Sequence, residues 1–198
     1  LNYDQWAYLT FTNRNDWSSS LIKQNRSYSY PSVSFSWVVT DMLTSYNKSI
    51  PTWLDHVKLR ASYASVGNDM GAYMLYNGYL IGKDPLDHTV ANKETILKNP
   101  YIKNELLKST EFGTEIRALN NRIGLDFTWY KSNATNQIIE LPMDPMSGYS
   151  KRIINAGNIQ NKGFELLLDA KVLNNPNSIN WSIRLNYSRN KNKIIDIA

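Results

Sequence analysis

Apolar and polar residues alternate with a period of two along most of this chain, and no other feature restricts its possible folds so tightly. A β-strand sends successive side chains to opposite faces, so this alternation specifies extended segments with one apolar and one polar face. Over residues 32–40, Val33, Phe35, Trp37 and Val39 share one face while Ser32, Ser34 and Ser36 take the other. Residues 57–66 set Val57, Leu59, Ala61 and Tyr63 against Lys58, Arg60, Ser62 and Ala64. Residues 122–131 set Ile123, Leu125, Phe127 and Trp129 against Gly124, Asp126, Thr128 and Tyr130. In residues 163–172, Phe164, Leu166, Leu168, Ala170 and Val172 oppose Glu165, Leu167, Asp169 and Lys171. In residues 181–188, Trp181, Ile183, Leu185 and Tyr187 oppose Ser182, Arg184, Asn186 and Ser188. Weaker versions occur at 6–13, through Ala7, Leu9 and Phe11, and at 109–119, through Phe112, Ile116 and Ala118. The pattern predicts about seven strands in an antiparallel up-and-down meander, an all-β fold.

The connections alternate long and short. Long polar loops are expected at 14–29, 67–108 and 132–158. Shorter links fall at 41–56, with a helical turn at 42–46 and a break at Pro51, at Asn120-Asn121, and at Asn174-Asn175-Pro176-Asn177. Ile194-Ile195-Asp196-Ile197 reads as a further strand starting up. Short turns at one end and long loops at the other are the habit of outer-membrane β-barrels, with the short turns periplasmic. A soluble sheet with one buried face gives the same alternation. The aromatic residues separate the two. On that orientation Trp37 and Trp181 fall toward the lower boundary, with Trp53 on the turn below, and Tyr63, Trp129 and Tyr187 toward the upper. Rings that are apolar in body and polar at the tip gather at the two headgroup zones.

The chain has no run of about 18 apolar residues, so a membrane-spanning helix is excluded, whereas a spanning strand needs only about ten residues with one apolar face. Its net charge of +5 is scattered, without a dense basic run interleaved with aromatics, which argues against nucleic-acid binding. There is no Cys, and His56 and His88 lie far apart without HExxH spacing, so no metal site is assigned. Asp69, Asp84 and Asp87 lack the residue order of a calcium loop. The glycines form no phosphate-cradling pattern, and no cofactor is expected. Gly157 and Gly163 are expected to mark backbone bends or a bulge. Glu111 with Glu115, and Glu165 with Asp169, share strand faces as a glycosidase pair would. Arg60, Arg117, Lys171 and Arg184 project to the same side, so a mixed-charge polar wall accounts for both sets, and no enzymatic activity is expected. Trp17, Tyr28, Tyr73, Tyr76 and Tyr79 lie in or beside the long loops as candidate substrate contacts, where a sugar ring could stack on an aromatic face. The alternative is loop-on-loop packing or, for Tyr73, Tyr76 and Tyr79, an extra hairpin above the membrane.

Several strings, taken in order, resemble successive blocks of SusC/RagA-like TonB-dependent outer-membrane transporters of Bacteroidetes. They are YLTFTNRNDWSS, RSYSYPSVSFSWVVTD, LRASYASVGND, STEFGTEIRALNNRIGLDFTWYKSNATNQI, SGYSKRIINAGNIQNKGFELLLDA and NWSIRLNYSRNKNKI. Residues 73–102 depart most from the pattern, as a loop adapted to a particular cargo would. The resemblance implies a location in the cell outer membrane and a parent barrel of about 22 strands around a plug. It also implies import of glycans, peptides or other large nutrients, with energy from the TonB complex and a SusD-like lipoprotein as lid. On this reading residues 1–198 are a partial, C-terminal stretch of the barrel domain, without plug domain or signal peptide. They form an open fragment of about seven wall strands plus loop hairpins, in contact with outer-membrane lipid. Alone, such a fragment could self-associate through its sheet edges. The competing classes are a soluble extracellular β-sandwich that binds carbohydrate, and a β-rich hydrolase using the Glu pairs.

Overall fold

The structure, a computed structural model, describes residues 1–174 and 178–197. In chain order the elements are β1 (Asn2–Tyr3), β2 (Ala7–Trp17), β3 (Ser27–Val38), helix α1 (Val39–Ser45) and β4 (Leu54–Asn68). They continue with β5 (Tyr79–Lys83), β6 (Thr89–Lys93), β7 (Ile96–Leu97), β8 (Glu105–Ala118) and β9 (Ile123–Pro142). A 3₁₀ turn (Pro145–Ser147), β10 (Lys151–Leu173) and β11 (Trp181–Asp196) complete the chain. One sheet runs β1-β2-β3-β4-β8-β9-β10-β11, antiparallel along this path, with β7 added parallel to the loop end of β10. The hairpin β5–β6 forms a separate two-stranded sheet. The expected meander is present, with seven long strands.

The register turns the alternation of single strands into two continuous faces. Leu9, Phe35, Ala61, Phe112, Trp129 and Phe164 stand side by side across six strands. The next apolar row holds Ala7, Trp37, Leu59, Thr114, Phe127, Leu166 and Tyr187. Rings interlock within and between these rows, Phe112 with Trp129 at 5.8 Å and Phe164 with Tyr187 at 5.7 Å between centroids. On the opposite face Ser36, Arg60, Gly113, Thr128, Glu165 and Ser188 form the corresponding polar row. The ladder is staggered: Lys58 of β4 lies opposite Val38, but the strand runs on to Leu54 before reaching the end of β8 at Ala118. Such stagger accompanies strand tilt in a barrel. It sets Trp37 near the lower end of its strand and Tyr187, in the same row, well up its own.

The apolar face is bare. Phe11, Phe112 and Leu185 are all more than half exposed, and among the described residues no second sheet covers them. A sandwich would bury these rows between two sheets, so the carbohydrate-binding sandwich has no counterpart here. The buried apolar cluster lies instead among the loops, built from Leu21, Met70, Leu75, Ile102 and Ile153. An apolar band of this extent, turned outward while the packed core sits at one end, is what a hydrocarbon solvent permits and water does not.

The long strands outrun the expected ones. The segment 14–29, expected as loop, contains the end of β2 and the start of β3, leaving only residues 18–26 between them. Similarly, β9 continues to Pro142 and β10 begins at Lys151, so much of 132–158 is strand. Apolar–polar alternation is written only where the two faces of a strand meet different surroundings. Above that level both faces meet water or loops, and strand segments such as Asn13-Arg14-Asn15-Asp16 carry a loop-like composition. Ile194–Asp196 does not open a new strand but completes β11, paired as far as Asn158 with Asp196. Between β8 and β9 the turn includes Asn120 and Asn121 as expected, both left-handed at φ 57° and 58°. Of the turn expected at Asn174-Asn175-Pro176-Asn177, the last three residues lie outside those described.

Candidate functional site

Above the apolar band the upper strands and the connections 18–26 and 69–104 meet in one platform. Its centre is the buried cluster around Leu21 and Ile102, the two most completely buried side chains, with Tyr28, Ile96 and Ile138 packed at its edge. Three asparagines staple the irregular backbone to it. The Asn25 side-chain amide donates to the carbonyls of Tyr101 and Ile102, both at 3.1 Å. Asn77 donates to the Ile96 carbonyl at 2.6 Å and accepts from the Lys98 N–H at 2.9 Å. Asn155 exchanges bonds with the backbone of Lys103, at 2.7 and 2.8 Å. Such amides supply donors and acceptors to backbone that has no ladder partner. These staples link segments as far apart as residues 25 and 102, so sequence spacing offers no signal for them.

On this platform opens a cleft of about 490 Å³ lined by Ser19, Ser20, Ala72, Tyr73, Leu75 and Tyr76. Leu75 forms its anchored floor, joined to the buried cluster. Tyr73 is 95% exposed and left-handed at φ 62°, an uncommon conformation for a bulky residue. Lys98 reaches its carbonyl at 3.4 Å and Glu94 at 2.9 Å. Ser18 donates to the Asp69 carboxylate, which also accepts from the Met70 N–H at 2.7 Å and ties the two walls together. The structure therefore brings Tyr73 and Tyr76 into one site and separates the other expected residues from it. Trp17 ends β2, with its ring exposed. Tyr79 begins β5, so of the three tyrosines considered for a hairpin it alone belongs to one. Tyr28 is turned inward, 5.1 Å from the Tyr30 ring and against the buried cluster. Burial, with the neighbouring Tyr28, raises the Tyr30 hydroxyl well above its ordinary value, and Asp16 raises the Arg14 guanidinium that lies 5.8 Å from the Tyr30 ring. Neither group titrates near neutrality. The cleft itself presents aromatic faces and hydroxyls.

Several other carboxylates are occupied. Asp84 accepts from the backbone N–H groups of Leu86 and His88 at 2.9 and 2.8 Å, bonds which with the His88 ring hold its carboxyl below the ordinary value. Asp87 pairs with Lys83 at 2.6 Å. On the polar face of the wall, Arg60 lies flat over Gly113 to reach Asp126 two strands away, at 2.7 Å, and Thr128 at 2.6 Å. Arg117 bonds Glu115 at 3.0 Å and Arg184 bonds Asp169 at 3.1 Å. These three pairs, with Lys58, Glu111, Glu165 and Lys171 on the same face, make a mixed-charge lining.

A bare apolar belt, a charge-balanced reverse face and a loop platform at one end define one sector of a membrane barrel. The chain matches the model of a family described as TonB dependent receptor-like, beta-barrel, over residues 1–196. The chain belongs to this family of TonB-dependent receptors. Receptors of the family are outer-membrane transporters rather than enzymes. A curated relative, TonB-dependent receptor P3 of Formosa agariphila, is 29% identical over 95% of this chain and 19% of its own length. TonB-dependent receptor SusC of Bacteroides thetaiotaomicron is 24% identical over 96% of this chain and 19% of its own. In the structure of the RagAB peptide importer in its closed-closed state, a matching chain superposes with a TM-score of 0.86. It is 26% identical to this chain, covering 98% of it and 21% of its own length. The chain thus spans about a fifth of the length of these TonB-dependent receptors. The expected likeness to SusC and RagA holds along nearly the whole sequence.

Proposed function

We propose that this chain is a stretch of barrel wall from an outer-membrane importer of large nutrients, peptides or glycans. The carrying observation is the two-faced wall: one largely apolar belt, and behind it a lining of mixed charge in which Arg60 pairs with Asp126 and Arg117 with Glu115. In the complete receptor this lining encloses a plug, the TonB complex supplies energy from below, and a SusD-like lipoprotein closes over the loop platform. Similarity to SusC and to a chain of the RagAB peptide importer supports that assignment of partners. The cleft beside Tyr73 and Tyr76 is the cargo contact that this sector contributes, since exposed rings stack on sugar rings or on apolar side chains of a peptide.

The test is uptake of labelled peptides and oligosaccharides by cells carrying the complete receptor with Tyr73→Ala and Tyr76→Ala together. Two stacked rings at about 0.5–1.5 kcal/mol each predict roughly a ten-fold weaker apparent affinity for the imported cargo. Unchanged affinity, at equal surface abundance, would remove the cleft from the import path. Uptake unaffected by deleting the receptor altogether would remove the transport function.

A further inference from the structure

The outward face of the wall carries, directly above its aromatic rows, a group of cations that neither the fold nor cargo import requires. Register places Lys131 of β9 opposite Lys162 of β10, and Lys162 opposite Lys191 of β11. Arg189 lies one row below, beside Phe164. Lys193 and Lys108 lie one row above, joined through Gln160 and Asn133. All six share the face of Phe112, Trp129 and Phe164, and all six are exposed. Like charges directly opposite one another destabilise a sheet, so three adjacent lysines need a compensating anion. The described residues offer none. The acids of these strands up to this level, Glu111, Glu115, Asp126, Glu165 and Asp169, point to the other face, and among the described residues none of the six cations takes part in an ion pair.

The height of the group is informative. Lys131 stands eight residues above the start of β9, Lys191 ten above the start of β11, and Lys162 eleven above the end of β10. A tilted strand crosses the hydrocarbon in about 9–11 residues, so these ammonium groups emerge where the outer headgroups lie. At the corresponding height β2, β3 and β4 present the uncharged Asn15, Ser29 and Ser65, so the charge belongs to one sector. Within that sector a hollow of about 290 Å³ is lined by Trp129 and Phe164 below and by Lys162, Arg189 and Lys191 around it. An apolar floor on the membrane side with a cationic rim on the headgroup side complements a lipid whose acyl chains lie along the rings and whose phosphate meets the lysines.

We propose that this hollow is a binding site for a phosphorylated lipid of the outer leaflet, held by its phosphate between Lys162 and Lys191 at the rim and Lys131, which stands beside Lys162 on the next strand. The inference rests on the barrel-wall reading above. The site would anchor the receptor at a fixed depth and recruit an annular lipid on this sector.

The test uses the complete receptor reconstituted in phosphatidylcholine vesicles containing lipid A, a phosphorylated glucosamine lipid, with retained lipids weighed by native mass spectrometry after gentle release. The wild type is expected to retain lipid A in preference to phosphatidylcholine. With each basic residue near an anionic surface worth about 1 kcal/mol, Lys162→Gln alone should lower that preference about five-fold. The triple change Lys131→Gln, Lys162→Gln and Lys191→Gln should lower it about a hundred-fold. Lys171→Gln, on the polar face, should leave it unchanged. Equal retention by wild type and triple variant would overturn the proposal. Displacement of the lipid by excess inorganic phosphate would also overturn it, by showing a site for a free anion. A receptor that fails to enter vesicles at all would instead refute the barrel-wall reading, whereas one that inserts without lipid preference refutes the lipid site alone.

Discussion

Gly163 is held to glycine by a neighbour far along the chain. A Cβ there would press on the backbone carbonyl of Arg189 in β11 and on the Tyr130 ring, neither of which can yield freely. It was expected, with Gly157, to mark a bend or bulge, but its pairing with Tyr130 and Asn190 is regular and its role is close approach. Gly157 does bend the backbone, at φ 84°, across from Asn136 at φ 56°. Left-handed backbone costs an L-residue roughly 1–2 kcal/mol. Gly157→Ala should therefore lower the unfolding free energy of the receptor by about that amount, read from its heat- or urea-induced loss of the compact barrel. The glycines were visible in the sequence, but only register shows which side chain crosses each one. The same holds for Arg60, whose passage over Gly113 depends on two strand pairings. Its pair with Asp126 is partly exposed, so Asp126→Asn should change stability by less than about 1 kcal/mol.

For single elements, alternation predicts sharply different fates for adjacent identical residues. Leu168 stands in the apolar row between Leu125 and Leu185, whereas Leu167 stands on the polar face between Asp126 and Asn186. Arginine facing the bilayer midplane costs about 2–4 kcal/mol, falling toward zero near the interfaces. Leu168→Arg should destabilise by about that amount, while Leu167→Arg should cost little, as measured by urea unfolding in vesicles. The faces of the seven wall strands were legible because hydrocarbon and water impose opposite demands on alternate residues. Their upper ends were not, since the demand lapses above the membrane. Helix α1 was legible in outline, as a helical turn at 42–46, which the structure starts three residues earlier and ends one sooner, at Val39–Ser45. Tyr73, Tyr76 and Tyr79 were legible as loop-side aromatics. Which of them share a cleft depends on the asparagine staples and on residues 94–98. There the Lys98 hydrogen bond, with Asn77, holds the Glu94 carboxyl below its ordinary value of 4.5. A depressed carboxyl contributes its stabilisation above the unfolded value and loses it as pH falls through the lower folded one. Protection of the amides of residues 94–98, taken relative to the intrinsic exchange rate at each pH, should fall as pH drops below 4.5, and Glu94→Gln should abolish that fall.

In the whole molecule, the inversion of solvent explains why, among the described residues, the well-packed apolar cluster lies among the loops and the upper end of β10 while Phe112 and Leu185 stand bare on the wall. A sheet with this outer face and with free edges at β1 and β11 makes sense as a sector of a larger closed surface, because backbone groups in lipid need partners at every edge. The fifth of each relative's length that the chain spans agrees with that view. What the account asserts above all is that neighbouring residues of one strand face hydrocarbon and water. The chain contains no Cys, so Leu125→Cys and Asp126→Cys provide unique attachment points within it. Spin labels at these two positions of the complete receptor in vesicles can be exposed in turn to oxygen, which concentrates in lipid, and to a water-soluble nickel chelate. The label at 125 should relax with oxygen and ignore nickel, and the label at 126 should do the reverse. Nickel reaching 125 while oxygen dominates at 126 would contradict the account.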